Sequence, residues 1–283
     1  MASAKEIRGQ IKATQNTAKI TKAMEMVAAS KMRKAQDRVV AARAYAEGIE
    51  RIVKNLMRSH PEYKHPFLVQ REIKRVGLIA VSTDKGLCGG LNTNAMKKAL
   101  GIMQSATVEV DALNVGRRAS QFMRRFGINV VASVEDINDA PALEETLGVV
   151  QVAMDKYMAG ELDEVHLVYS KFVNTMTQTP TSIRLLPCSQ DDVAEGAYWD
   201  YLYEPDSQVV LDGLLRRYVE ALVYHSVLEN KACEHSARMV AMKSATDNAK
   251  DIVKDLQITY NKARQAAITQ EIAEICSGAA ASA

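Results

Sequence analysis

Residues 206–277 contain no proline and a single glycine, Gly213. A line of positions runs through them as Leu211, Leu214, Tyr218, Ala221, His225, Leu228, Ala232 and His235, then Met239, Met242, Thr246, Ala249, Val253, Leu256, Tyr260, Ala263 and Ala267. Alternating steps of three and four keep all of them on one side of a helix, and a heptad held this long makes a coiled-coil seam. At about 1.5 Å of rise per residue the helix would be roughly 105 Å long, far more than a small domain is wide. A helix that long needs a partner along its length and a mechanical reason to exist.

The partner is in the same chain. Residues 3–58 are also proline-free and carry two interleaved heptad sets. One is Ile7, Thr14, Thr21, Ala28, Ala35, Ala42, Ile49 and Leu56, and the other is Ile11, Ala18, Glu25, Met32, Val39, Ala46 and Val53. Only Glu25 is neither apolar nor threonine. Because both helices join the same middle segment, their pairing is expected to be antiparallel, with the alanines allowing close approach of the axes. The N-terminal helix would be exhausted when the C-terminal one reaches about residue 261, leaving the last turns alone over roughly 30 Å. That tip carries Ile268, Ile272 and Ile275. Either something encloses it, because bare apolar surface in water is unfavourable, or it frays.

Between the helices the pattern changes. The link 60–66 is polar and holds two prolines. Strands are expected at 75–82, 108–115, 128–134, 164–172 and 180–186, the last two close enough for a hairpin. Helices are expected at 92–105, 117–126 and 142–158. Alternating strands and helices indicate an α/β domain with a largely parallel sheet. Pro205 and Asp206 mark the start of the long helix, with Asp206 as N-cap.

Net charge is +2, but its distribution is uneven. Residues 1–58 hold 13 Lys/Arg against 5 Asp/Glu, while residues 185–215 hold 7 acids and no Lys or Arg. Such polarity suggests different partners in different places. The basic stretch 19–43 reads as a solvated helix face, a nucleic-acid surface or a match for acidic loops of a protein. Aromatic interleaving is missing from it until Tyr45, and no groove-reading motif is visible. The four cysteines are scattered without a C-x-x-C pair, suggesting neither zinc nor a disulfide framework. No signal-peptide core and no run of about 18 apolar residues is visible, so membrane association is expected to go through another protein.

Chemistry has one candidate, the glycine-rich loop 82–92 (STDKGLCGGLN) between a strand and a helix. Phosphates bind at such junctions because helix N-termini offer free N–H groups. Neither G-x-x-x-x-G-K-[ST] nor G-x-G-x-x-G is present, so a structural turn or docking loop competes with that reading. His225 and His235 lie ten residues apart on the seam, too far for joint metal ligation, and are expected to keep some solvent contact. No nucleophile-elbow context surrounds any serine. On its residues alone the chain looks non-catalytic.

Three separated stretches carry a resemblance: residues 20–32 (ITKAMEMVAASKM), the loop 82–92, and residues 268–280 (ITQEIAEICSGAA), which fits I-T-x-E-x-x-[DE]-x-x-x-G-A. The whole chain resembles the gamma subunits of bacterial F-type ATP synthases. That resemblance implies an α/β fold class: a long antiparallel coiled coil of N- and C-terminal helices (1–58 and 206–283) with a central Rossmann-like domain (74–190). It implies a non-catalytic rotor shaft, without cofactor or metal, that couples c-ring rotation to conformational cycling of catalytic beta subunits. The partners implied are the alpha–beta hexamer, the epsilon subunit and the c-ring, with no nucleic acid and no direct membrane insertion. The place implied is the cytoplasmic face of the bacterial inner membrane. Matching the family's motifs puts upper beta contacts on Arg264, Gln265, Thr269 and Glu271, and coupling positions on Lys19, Met24 and Arg238. It puts the foot, facing epsilon and the c-ring, around Tyr201, Tyr203 and Glu204. The paired-cysteine insert of chloroplast relatives has no counterpart here.

Overall fold

The computed structural model describes residues 4–59, 65–106, 108–188 and 207–281. Helix α1 spans Ala4–Ser59 and α5 spans Ser207–Ala281. Between them come β1 (Arg75–Val81), α2 (Leu91–Ser105), β2 (Glu109–Val115), α3 (Arg117–Arg125), β3 (Asn129–Val134), α4 (Glu144–Met158), β4 (Glu164–Phe172) and β5 (Gln178–Leu186). The chain forms two compact units, Ala29–Arg238 and a second made of Met1–Ala28 with Met239–Ala283.

In the Ala29–Arg238 unit the strands lie in the order β3-β2-β1-β4-β5. β1 runs parallel to both β2 and β4, β2 is parallel to β3, and β4 is antiparallel to β5. β1 is buried on both faces, which is why Val-Gly-Leu-Ile-Ala-Val reads as an unbroken apolar run. Its side chains divide by the period of two. Leu78 and Ala80 pack with Ala95, Met96 and Ala99 of α2 and with Ala119 and Met123 of α3. Ile79 and Val81 face the other way, into a larger core with Val149, Val150 and Met154 of α4. The long helices close that second core with Ile49 and Val53 of α1 and Leu215, Val219, Val223 and Val227 of α5. The bases of the two long helices thus fill the layer that a crossover helix would otherwise occupy alone. Truncating Leu215, which is fully buried, to alanine should cost about 2–5 kcal/mol.

β5 begins at Gln178, two residues before the expected start, and Pro180 lies inside it opposite Ser170. Proline is tolerated there because β5 is an edge strand, with β4 as its one neighbour. Gly116, between β2 and α3, has φ of 98°, and a Cβ there would lie 2.5 Å from the Ser82 carbonyl oxygen. That close approach lets the Ser82 hydroxyl accept from the Ala119 N–H at 2.8 Å and satisfy the first turn of α3.

The two long helices also pair outside the sheet. Ala35 and Val39 of α1 cluster with Leu228 and Ala232 of α5. Every α1 seam residue from Ile7 to Val53 is buried or partly covered. Glu25, the outlier, is half-buried and pairs with Lys22 at 3.1 Å. His235 departs from expectation: it is 2% exposed, without the solvent contact assigned to a seam histidine. The β3–α4 loop covers it, bringing Asp139 Oδ1 to 3.4 Å from its Nε2.

In the second unit, Thr21 and Thr246 hydroxyls meet at 2.8 Å across the seam. Ile7, Ala28, Met242, Thr246 and Ala249 are buried, and Val253, Leu256, Tyr260 and Ala263 are partly covered. From Arg264 to Ser277 every residue is exposed. The helix itself continues to Ala281.

Candidate interaction surfaces

The glycine-rich loop is tied down by its own side chains. Asn92 accepts from the Thr83 N–H at 3.1 Å and donates to the Thr83 hydroxyl at 2.8 Å, while that hydroxyl donates to the Lys85 carbonyl. Asp84 takes three backbone N–H bonds: from Arg117 at the start of α3, and from Asp136 and Ile137 after β3. The anion at this helix start is therefore the protein's own carboxylate. Arg238 of α5 donates to the Gly86 carbonyl at 3.2 Å. The loop sits at the carboxyl ends of the strands, where open α/β sheets hold ligands, and here it receives a helix. It is built as a docking loop.

α5 is correspondingly unusual where it meets that loop. From Ser226 to Ser236 every residue is buried, including Glu229, Asn230, Lys231, Glu234 and His235. Lys231 donates to the Ile137 carbonyl at 2.9 Å and lies 3.5 Å from Glu234, whose other oxygen accepts from Arg238 at 2.7 Å. Cys233 donates to the Ser170 carbonyl and Ser236 to the Thr175 carbonyl. Burial pushes the His235 imidazole below its ordinary pKa, the nearby Glu234 and Asp139 only partly opposing this. Burial also pushes the Glu229 carboxyl up. Asp139 sits below the usual carboxylate range: burial is the largest single influence and works against its charge, but the hydrogen bond from Lys31 and the positive charges of Lys31, Lys231 and His235 together outweigh it. His225 and Glu229 line a cavity of about 920 Å³ between the long helices and the β4–β5 hairpin, together with Arg43, Tyr169 and Lys171.

The sequence-derived contact residues fall into distinct environments. Lys19 is exposed on α1 and Met24 half-buried. Of the basic side chains between residues 19 and 43, Lys31 and Arg38 turn inward to Asp139, and Lys22 pairs with Glu25. Arg238 is committed to Glu234 and Gly86 inside its own unit. Arg264, Gln265, Thr269 and Glu271 are all exposed, and the Thr269 hydroxyl donates to the Gln265 carbonyl. At steps of three and four, Arg264, Ile268, Glu271, Ile272 and Ile275 share one face. It is an apolar stripe edged by opposite charges. Tyr201, Tyr203, Glu204 and the N-cap Asp206 lie outside the described residues. Sequence reasoning missed Asp84, Asp139, Lys231 and Glu234. The available signal was the run from Ser226 to Ser236, whose off-seam residues include Cys233 and two serines that a solvent-facing helix would not need.

All four cysteines are free thiols, and Cys276 is exposed. Burial pushes the Cys188 thiol up to about 12. Among the described residues no helix is long and apolar enough to cross a membrane, and no cluster of side chains suits a metal ion.

Comparison with known proteins places the chain. The family model described as ATP synthase matches residues 3–281. The ATP synthase gamma chain of Aromatoleum aromaticum is 57% identical, over 99% of this chain and 100% of its own length. That of Thiobacillus denitrificans is 53% identical over the same shares. Among solved structures, a chain of the Euglena gracilis mitochondrial ATP synthase (OSCP/F1/c-ring, rotational state 3) superposes with a TM-score of 0.71 at 19% identity, covering 98% of this chain and 94% of its own. Another, from the central stalk and c-ring of the Tetrahymena thermophila mitochondrial enzyme, gives 0.62 at 24% identity, over 80% and 99%. At such identities the structural matches speak to the fold, a central sheet domain between two long helices. The sequence matches, full-length and above half identical, speak to descent, and the chain belongs to the ATP synthase gamma chain family.

Proposed function

We propose that this chain is the central rotor shaft of an ion-translocating ATP synthase. It does no covalent chemistry. The c-ring turns it, and it biases catalytic beta subunits between conformations, driving ATP synthesis in one direction and following hydrolysis in the other. The observation that carries the reading is the bare end of α5: a helix that stays regular to Ala281 while every residue from Arg264 to Ser277 is exposed. An apolar stripe held out this way fits inside a sleeve supplied by other subunits. The relatives named as gamma chains, and the likeness to chains from rotor and c-ring assemblies, support the same reading.

A shaft acts only through contact energies that differ between the states of its partners. Arg264, Gln265, Thr269 and Glu271 would meet a beta subunit. Lys19 and Met24 would lie along the coupling face with Arg238, and the basic surface of α1 would oppose acidic loops. Tyr201, Tyr203 and Glu204 would form the foot on the epsilon subunit and c-ring. The chain would work as three parts, 1–58 and 206–283 as shaft and 74–190 as the domain that receives torque. It would sit peripherally at the cytoplasmic face of the bacterial inner membrane, held by its partners.

Alpha and beta subunits mixed with and without this chain test the proposal by gel filtration and ATP hydrolysis. One copy per three alpha–beta pairs with stimulated hydrolysis is expected. A chain that elutes alone and leaves hydrolysis unchanged would refute the shaft.

A further inference from the structure

In the Ala29–Arg238 unit, α5 meets the α/β domain in two chemically different ways. Leu211 to Val227 contribute apolar side chains, whose attraction is non-directional and does not by itself single out one angle of the helix about its axis. Immediately beyond, Lys231, Glu234, His235 and Arg238 follow at steps of three, four and seven and share one face. That face is bonded to two loops at the carboxyl ends of the strands. Lys231 reaches the Ile137 carbonyl at 2.9 Å and lies 3.9 Å from Asp84. Arg238 reaches Gly86, and His235 approaches Asp139, which Lys31 of α1 holds at 2.6 Å and Arg38 contacts through its carbonyl at 3.0 Å. Asp84 in turn organises both loops through its three backbone N–H bonds. A second face is fastened by Cys233 to Ser170 and by Ser236 to Thr175.

We propose that this polar collar, with Lys231, Asp84 and Asp139 as its positioning residues, is the torsional joint that fixes the angle of the long helix relative to the α/β domain. Hydrogen bonds and ion pairs depend on direction as well as distance, so a collar closed on two faces resists rotation of α5 in a way the apolar contact below it does not. The inference rests on the rotor reading, since only a shaft that carries torque needs such a joint.

The test uses the assembled alpha–beta–gamma complex, immobilised through the hexamer, with Cys276→Ser and a bead on Lys98→Cys, an exposed position of α2. The width of the bead's angular fluctuation in the pauses reports stiffness, since variance rises as stiffness falls. Lys231→Gln, which keeps a donor for the Ile137 carbonyl but loses the charge, should widen the variance about twofold or more. ATP turnover should stay within about twofold, and Lys231→Arg should restore the narrow distribution. Asp139→Asn, at a half-exposed position with little risk to folding, should widen it in the same direction and carries the test alone if Lys231→Gln does not assemble. Variances equal to the parent's in the assembled variants would overturn the joint. A parent complex whose bead never turns would instead refute the rotor reading.

Discussion

Two stretches of the same helix invert the usual rule of inside and outside. Between Ser226 and Ser236, α5 buries two glutamates, a lysine, a histidine and an asparagine; from Arg264 to Ser277 it exposes three isoleucines. Buried charges are costly unless paired and hydrogen-bonded; in the first stretch Glu234 is paired by Lys231 and Arg238 of the same helix, and Lys231 and His235 meet loops that reach in from the sheet. Exposed apolar stripes are costly unless covered, and none of the described residues covers the second. The first stretch is finished within one polypeptide. On the proposed function, the second is half of an interface.

The sharpest way to break this comparison is to place the same charge in both. Ala232 is fully buried, so Ala232→Asp strands an unpaired carboxylate and should cost about 3–5 kcal/mol, seen as a large loss in the thermal midpoint of the isolated chain. Ile272→Asp should leave that midpoint within about 0.5 kcal/mol equivalent while weakening assembly with alpha and beta subunits. Equal midpoints for the two variants would mean that α5 is not held where the structure puts it.

Acidification should separate the same regions. His65, His225 and His235 all have pKa values lowered mainly by burial. The unfolded chain therefore binds more protons than the folded one just below the ordinary histidine value, and stability should fall as pH drops through that window. Glu229, raised by burial, works in the opposite sense. Melting curves between pH 7.5 and pH 5.5 check the sign, and His235→Gln should flatten the slope; the sequence from Arg264 to Ser277 has no histidine to contribute.

Smaller effects belong to the coupling face. Met24→Lys adds charge to a half-buried position and should disturb coupling by about 1–2 kcal/mol, reducing ATP-driven ion pumping while the complex still assembles. Normal pumping in that variant would remove Met24 from the coupling face. Glu271→Ala and Thr269→Ala should be the mildest, within about 0.5 kcal/mol for stability of the isolated chain, because both side chains are exposed and Thr269 bonds only locally to Gln265.

Much of this architecture was legible in the chain itself, for reasons of period. Heptads over dozens of residues admit one geometry, so both long helices, their pairing and the point where cover ends near Ala263 follow from spacing and rise per residue alone. Short apolar runs alternating with helical segments likewise marked all five strands, missing only the first two residues of β5, where Pro180 looked like a start and is in fact tolerated at an edge. Strand order, by contrast, came from the tertiary structure, because β1 is apolar on both faces and its run says nothing about its neighbours. So did the polar collar. Lys231, Asp84 and Asp139 are far apart in sequence, each ordinary in its own context, and a charged residue on a helix reads as solvated until a loop from elsewhere arrives to bury it. Local periodicity determines which elements form; which charges become buried depends on the meeting of distant segments, and only the folded chain shows it.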